Sequence, residues 1–352
     1  MATLVGLLTE DDIQDQRVTT IGVRQVFRSI EESMAEHNRV VTALTGLFCT
    51  TITDATARYE LAASTRSQPL DANGRALPIK SAGYYSVGFP IQGSGNAWGR
   101  NYRTGVKMTV REVARLVSAM QDGDKRWMRD HILAALFYEN STTPWTFPDT
   151  SGDVSVYGLA NGDTVTYQIM SGADSAATDD HVKGAAAIAE SVFQDIHDEL
   201  VEHPENGEEV IAFVPTASVS AVQALTNFYP IGDPNLRSGV AVTEYAGAPT
   251  IATPGKLFGY IAGVHVYEWA GMPANYLLGT TVGGEPALAM REDPEPELKG
   301  FRQVAERNDY PWYEFQYARW AGFGAWNRVG AVVYRTNNAT YAIPTGYTSP
   351  MP

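Results

Sequence analysis

Residues 255–267 read GKLFGYIAGVHVY, followed by MP at 272–273 and YLLG at 276–279. Further on come YEFQY at 313–317 and AWNRVGAVVY at 325–334. Apolar, β-branched and aromatic residues dominate these segments and glycine punctuates them, the pattern of short strands joined by tight turns. No nucleophile, metal-ligand cluster or phosphate-cradling loop lies among them. Strand after strand without chemistry points to a building block rather than a catalyst.

Toward the N-terminus, EVIAFV at 209–214 reads as a buried strand, and Pro215-Thr216 opens a helix predicted to reach residue 228 with Thr216 as N-cap. A helix is also predicted over 180–203, with Ala187, Ile188, Val192, Phe193, Ile196 and Leu200 on one face. Residues 140–180 are rich in Ser, Thr, Asp and Gly. Within them Asn161-Gly162, between DVSVY at 153–157 and TVTYQI at 164–169, predicts a hairpin. Residues 109–138 read as one long amphipathic helix. Thr109 and Glu112 have the spacing of a capping box, and Val113, Val117, Met120, Met128, Ile132 and Leu136 keep helical periodicity. Gly123 costs about 1 kcal/mol against alanine there and marks a place for a bend.

Residues 58–108 are unusual: glycine recurs at 74, 83, 88, 93, 95, 99 and 105, and apolar residues are sparse. YYSVGF at 84–89 reads as a strand, and Asp71, Asn73 and Gly74 as a turn. A two-stranded ribbon is marginal by itself in water, so a projecting ribbon stabilised by packing on another subunit is the economical reading. Residues 9–45 are polar and helical, with a narrow apolar face of Val23, Val26, Phe27, Ile30 and Met34.

A chain of 352 residues suits about two or three lobes. No apolar run approaches the roughly 20 residues of a membrane span, and the start, MATLVGLL before Glu10, has no basic segment and does not read as a signal peptide. The single cysteine, Cys49, excludes an intrachain disulfide and reads as a small core residue. Net charge is −14, which argues against gripping nucleic acid along a basic face. The charge is also segregated. Residues 61–108 hold six bases and one acid, whereas 139–300 hold 23 acids and five bases. Such an asymmetry allows attraction between neighbouring copies.

Five features could carry chemistry. GSGNAWG at 93–99 fits neither the dinucleotide nor the Walker spacing and reads as ribbon flexibility. His197 and His203 are six residues apart on a helix and point to different faces; Glu199 shares a face with His203, a poor pair for a metal. Asp71 and Asn73 echo a calcium loop but lack its closing glutamate. The acidic run at 292–297 reads as a Pro-stiffened surface loop. The aromatics Tyr310, Trp312, Tyr313, Phe315, Tyr317, Trp320, Phe323 and Trp326 have period-two spacing. In an acidic chain they suit a core β-ribbon better than a stacking platform for bases. No catalytic, cofactor or metal residue is assigned.

The order of these parts resembles the major capsid proteins of tailed bacteriophages, whose shared architecture is the Hong Kong 97 fold. The resemblance implies an α+β chain with an N-terminal arm (1–57), an extended E-loop ribbon (58–108), and a spine helix with a peripheral-domain insertion (109–180). An axial domain (181–290) and returning peripheral-domain strands (291–352) complete it. The stretch 256–266 before Met272-Pro273, and Asn327-Arg328 before VGAVV, carry most of the likeness. The implied function is structural rather than enzymatic. The chain would self-assemble through hexamers and pentamers into an icosahedral virion shell built in the host cytoplasm. That shell would enclose double-stranded DNA without sequence-specific binding, with no membrane and no cofactor. A scaffolding protein, portal and decoration protein are the implied partners. Tyr84, Tyr85 and Phe89 would be buried on a neighbouring subunit. Arg66, Arg75, Lys80, Arg100 and Arg103 would face its acids. Some family members also crosslink a ribbon lysine to a neighbour's asparagine; Lys80 with Asn337 or Asn338 matches by residue type only. Rival readings are an encapsulin shell around a cargo enzyme, a tail or baseplate ring, and a hydrolase with an acidic cleft.

Overall fold

The computed structural model describes residues 15–21, 23–61, 69–76, 83–105, 107–139, 145–149, 152–163, 165–170, 179–231, 253–307 and 312–350. The chain forms two compact units. The first comprises Met1–Ala43, Ile91–Arg129 and Glu292–Ala321, and the second Leu44–Pro90, Asp130–Arg291 and Gly322–Pro352. Both are therefore discontinuous in sequence. No helix among the described residues is long and apolar enough to cross a membrane.

In the first unit the helix Val23–Thr45 buries Val26, Ile30 and Met34. It shares a core with Val113, Val117 and Met120 of the long helix Val110–Phe137 and with Trp98, Phe301, Phe315 and Tyr317. The capping box forms as the sequence predicts: the Thr109 backbone N–H donates to Glu112 Oε2 at 2.9 Å, and the Glu112 N–H to Thr109 Oγ1 at 3.3 Å. The helix runs unbroken through Gly123. A Cβ there would lie 3.0 Å from Asn96 Nδ2, so this glycine serves close packing.

The GSGNAWG segment is a correction. It is part of the strand Gln92–Asn101, paired antiparallel along ten residues with Trp312–Ala321. Its glycines admit bulky partners rather than flexibility: a Cβ at Gly93 would sit 2.9 Å from Trp320 Nε1. The strand Arg302–Arg307 pairs with the other edge of the same long strand, across Glu314–Ala318.

The second unit is built on a seven-stranded mixed sheet. Its order is Val182–Gly184, Ala331–Arg335, Tyr276–Val282, Glu209–Val214, Val264–Glu268, Lys256–Ile261 and Tyr229–Pro230. The decisive sequence stretch thus supplies an antiparallel pair, Lys256–Ile261 with Val264–Glu268, and the latter lies parallel to the buried strand Glu209–Val214. The helix Glu190–Val201 covers the sheet with Val192, Phe193, Ile196 and Leu200. It is shorter than predicted, because 182–184 is already strand and Ala187 and Ile188 precede the helix. Likewise 216–228 holds only a 3-10 turn and the helix Val219–Gln223, and Thr216 makes no side-chain cap. A second small sheet joins Cys49–Ile52 in parallel to Leu288–Arg291, which pairs in turn with Gly322–Ala325.

Two further expectations fail in this unit. The predicted hairpin about Asn161-Gly162 does not form; Gly152–Val156 pairs with Trp145–Asp149 instead, and Asn161 bridges Asp180. The ribbon is formed by Thr56–Glu60 and Tyr84–Gly88, and its inner face packs into this unit's own core, with Tyr59, Tyr85, Val87 and Phe89 beside Tyr167 and Ala289. Of the aromatic tail, Phe315, Tyr317 and Phe323 are buried and Trp320 and Trp326 are half-buried; Tyr310 lies outside the described residues.

Candidate assembly surface

A subunit that works by contact needs rigid elements to hold its contact groups, and both units contain buried ionic clusters that supply them. In the first, Asp124 of the long helix is wholly buried. It accepts from Arg319 Nε at 2.7 Å, Arg319 Nη2 at 2.8 Å and His37 Nε2 at 2.7 Å. Arg319 also donates to Asn38 Oδ1 at 2.8 Å, and Asn38 makes paired bonds to the Phe301 backbone at 2.8 and 2.9 Å. Three separate chain segments are locked by this cluster. Burial alone would push the Asp124 carboxyl up, but its bonds to His37 and Arg319 outweigh burial and hold it below its usual value.

In the second unit Arg328, 1% exposed, donates to the carbonyls of Gly158 at 2.8 Å and Leu159 at 3.2 Å and pairs with Asp163. Its guanidinium lies 5.2 Å from the Tyr157 ring centroid and 5.8 Å from that of Tyr85. These bonds fix the backbone at 158–163, which accounts for the failure of the predicted hairpin. Tyr85 donates to the Trp326 carbonyl at 2.6 Å, and Trp326 Nε1 to Glu285 at 2.6 Å.

The expected contact residues separate into three groups. Tyr85 and Phe89, 8% and 0% exposed, belong to the subunit's own core, so they offer a neighbour almost no surface. The ribbon stacks Tyr59 on Tyr85 at 5.0 Å, and that inward face leaves the alternate residues outside. Tyr84 is 57% exposed, with the Arg58 guanidinium 4.0 Å over its ring. Arg75, Arg100 and Arg103 are exposed. Arg66 and Lys80 lie outside the described residues.

Beyond the paired strands, residues 71–75 form the predicted turn. Asp71 Oδ1 accepts from the backbone N–H groups of Asn73 and Arg75, both at 2.8 Å, and the neighbouring Leu70 is 62% exposed. The ends of the ribbon are held together, since Leu61 N–H donates to the Gly83 carbonyl at 3.1 Å. On the first unit, Arg100, Lys107 and Arg115 share a groove of about 380 Å³ with Thr104, Met108, Glu112 and Leu116.

Glu199 and His203, a poor pair by their spacing, do not pair: Glu199 binds Lys183, which also donates to Asp195 at 2.9 Å. His203 turns inward to His181, with Nε2 atoms 3.2 Å apart. The ligand atoms of Asp179, Glu202 and His203 all lie within 4.8 Å of one another. Sequence reasoning missed this group, although two acid–His dipeptides, Asp180-His181 and Glu202-His203, were visible.

Two discontinuous units, a ribbon pinned to one of them and a long capped helix make an α+β fold that is similar to those of solved phage capsid chains. The likeness to solved structures spans the chain. A chain of Mycobacterium phage Patience is 18% identical, with a TM-score of 0.64, over 100% of this chain and 98% of its own. The capsid of Ralstonia phage GP4 is 10% identical, with a TM-score of 0.50, over 85% of this chain and 88% of its own. No protein-family model matches the sequence, and no curated protein matches it significantly.

Proposed function

We propose that this chain is the major capsid protein of a tailed bacteriophage, a structural subunit and not an enzyme. It assembles through hexamers and pentamers into an icosahedral shell around double-stranded DNA. The observation that carries the reading is the likeness to solved phage chains, over 100% of this chain for phage Patience and over 85% for the capsid of Ralstonia phage GP4. The physical features agree with it. Charge is segregated along the chain, Arg75, Arg100 and Arg103 are exposed, and Leu70 and Tyr84 present apolar surface on and beside the ribbon. In this reading apolar burial supplies most of the association free energy, and charge sets register and rate. A net charge of −14 suits a container that encloses DNA without gripping it. A separate scaffold, a portal and a decoration protein are the proposed partners, with assembly in the host cytoplasm.

The test is negative-stain electron microscopy of the purified chain, alone and with its phage's other head proteins. Closed shells or hexamer sheets are expected. A compact monomer under both conditions overturns the proposal. A second arm replaces residues 62–82 by a two-residue turn, which the Leu61–Gly83 hydrogen bond allows without disturbing the core strands. The shortened subunit should fold and fail to close; closed shells from it would remove the ribbon from the account.

A further inference from the structure

His181 and His203 face each other inside the second unit in a way that neutral imidazoles cannot satisfy. His181 Nδ1 lies 3.0 Å from the Ala331 carbonyl and His203 Nδ1 lies 3.0 Å from the Gln168 carbonyl. A carbonyl only accepts, so each Nδ1 carries the proton and each neutral ring is left with a bare Nε2. Those two Nε2 atoms are 3.2 Å apart, lone pair toward lone pair, at residues 0% and 1% exposed. Around them stand Asp179 Oδ2, 3.7 Å from His203 Nε2, and Glu202 Oε1 at 3.9 Å. Asp179 is 9% exposed, and its Oδ2 finds no hydrogen-bond partner among the described residues. With both rings neutral, the group holds two lone pairs and a buried carboxylate oxygen with no donor to share.

We propose that this cluster is a binding site for a divalent first-row transition ion such as Zn²⁺, with His203, Asp179 and Glu202 as ligands and His181, beside His203, completing the set. Four observations agree. Two nitrogens each about 2.0–2.1 Å from a tetrahedral zinc stand about 3.3 Å apart, close to the separation seen. Histidines that ligate metals usually give their other N–H to a backbone carbonyl or carboxylate, and both do so here. Two carboxylates balance a double positive charge, and imidazole with carboxylate suits zinc and its neighbours. Glu202, with its side chain 38% exposed, opens the group to solvent. Backbone bonds fix the ligands in advance: His181 N–H donates to the Ala160 carbonyl at 2.8 Å, and Gly162 N–H to that of Asp179 at 2.8 Å. Metal would then tie the end of the Glu190–Val201 helix to the start of the Val182–Gly184 strand. The site stands on its own geometry and does not depend on the shell reading.

The test is calorimetric titration of Zn²⁺ into the chelator-stripped full chain, with His203→Gln, Asp179→Asn and the control His197→Gln. One ion per subunit is expected. The first two variants should bind at least ~10-fold more weakly, and His197→Gln should match the wild type. Absence of saturable one-to-one binding overturns the proposal, as does equal binding by all variants. Zn K-edge absorption of the loaded wild type keeps the test independent of variant folding. Two imidazoles with oxygen ligands support the assignment, and a single imidazole or a sulfur ligand refutes it.

Discussion

Arg319→Met is the sharpest probe of how the first unit is held together. Arg319 makes three hydrogen bonds within the buried cluster, two to Asp124 and one to Asn38. Methionine keeps much of the side-chain volume and removes the charge, which leaves the fully buried Asp124 carboxylate with His37 as its remaining side-chain partner. Removing one partner of a buried ion pair costs about 3–5 kcal/mol, because the survivor stays desolvated and underpaired. A loss of that size should appear in urea unfolding of the unassembled subunit and as faster amide exchange along Val110–Phe137. The pH profile carries a second signature. Asp124 titrates below its ordinary value in the folded state, so on acidification the unfolded chain takes up the proton first. Its stabilisation is complete above the ordinary value of 3.8 and is lost as pH falls through the lower folded value. Without Arg319 the folded pKa rises and acid unfolding begins at higher pH. A stability loss under ~1 kcal/mol, with an unchanged acid limb, would refute the reasoning.

Phe89→Ala and Tyr84→Ala should separate core from contact surface. The first, at a fully buried ring, should cost the isolated subunit about 3–5 kcal/mol in denaturant unfolding. The second, at an exposed ring, should leave subunit stability within about 0.5 kcal/mol and instead slow shell formation followed by light scattering. Thr109→Ala removes one half of the capping box and should cost about 1 kcal/mol, read as a lower melting temperature. Reversing Arg100 and Arg103 to glutamate should slow assembly most at low salt, and the difference should shrink as ionic strength rises. A salt-independent effect would mean that these charges act by packing.

The parts of this fold that were legible in the sequence are those determined by neighbours along the chain. Thr109 and Glu112 announced a helix start because a capping box needs only four residues, and Val192, Phe193, Ile196 and Leu200 showed their face by spacing alone. Glu209–Val214 was readable as a strand because it is buried on both faces and hence apolar throughout. Two of the misreadings involve partners far away in sequence. Gly93 is glycine on account of Trp320, so composition suggested a flexible ribbon where a ten-residue strand exists. Asn161-Gly162 has hairpin chemistry, but Arg328, 165 residues beyond Asp163, takes hold of the segment first. For the contact residues, sequence marked the ribbon but could not tell Tyr84, facing out, from Tyr85, facing in, since strand register decides which of two adjacent tyrosines is buried.

The lone thiol has a practical side. Cys49 is the only cysteine in the chain, it is buried, and burial pushes its pKa up, so almost none of it is thiolate at neutral pH. The native subunit is accordingly silent toward maleimides and other thiol reagents. A cysteine installed at Arg75 or Tyr84 would be the one reactive sulfur per copy, a clean attachment point for a fluorophore or spin label. Such a tag would report on its neighbours in real time as subunits come together.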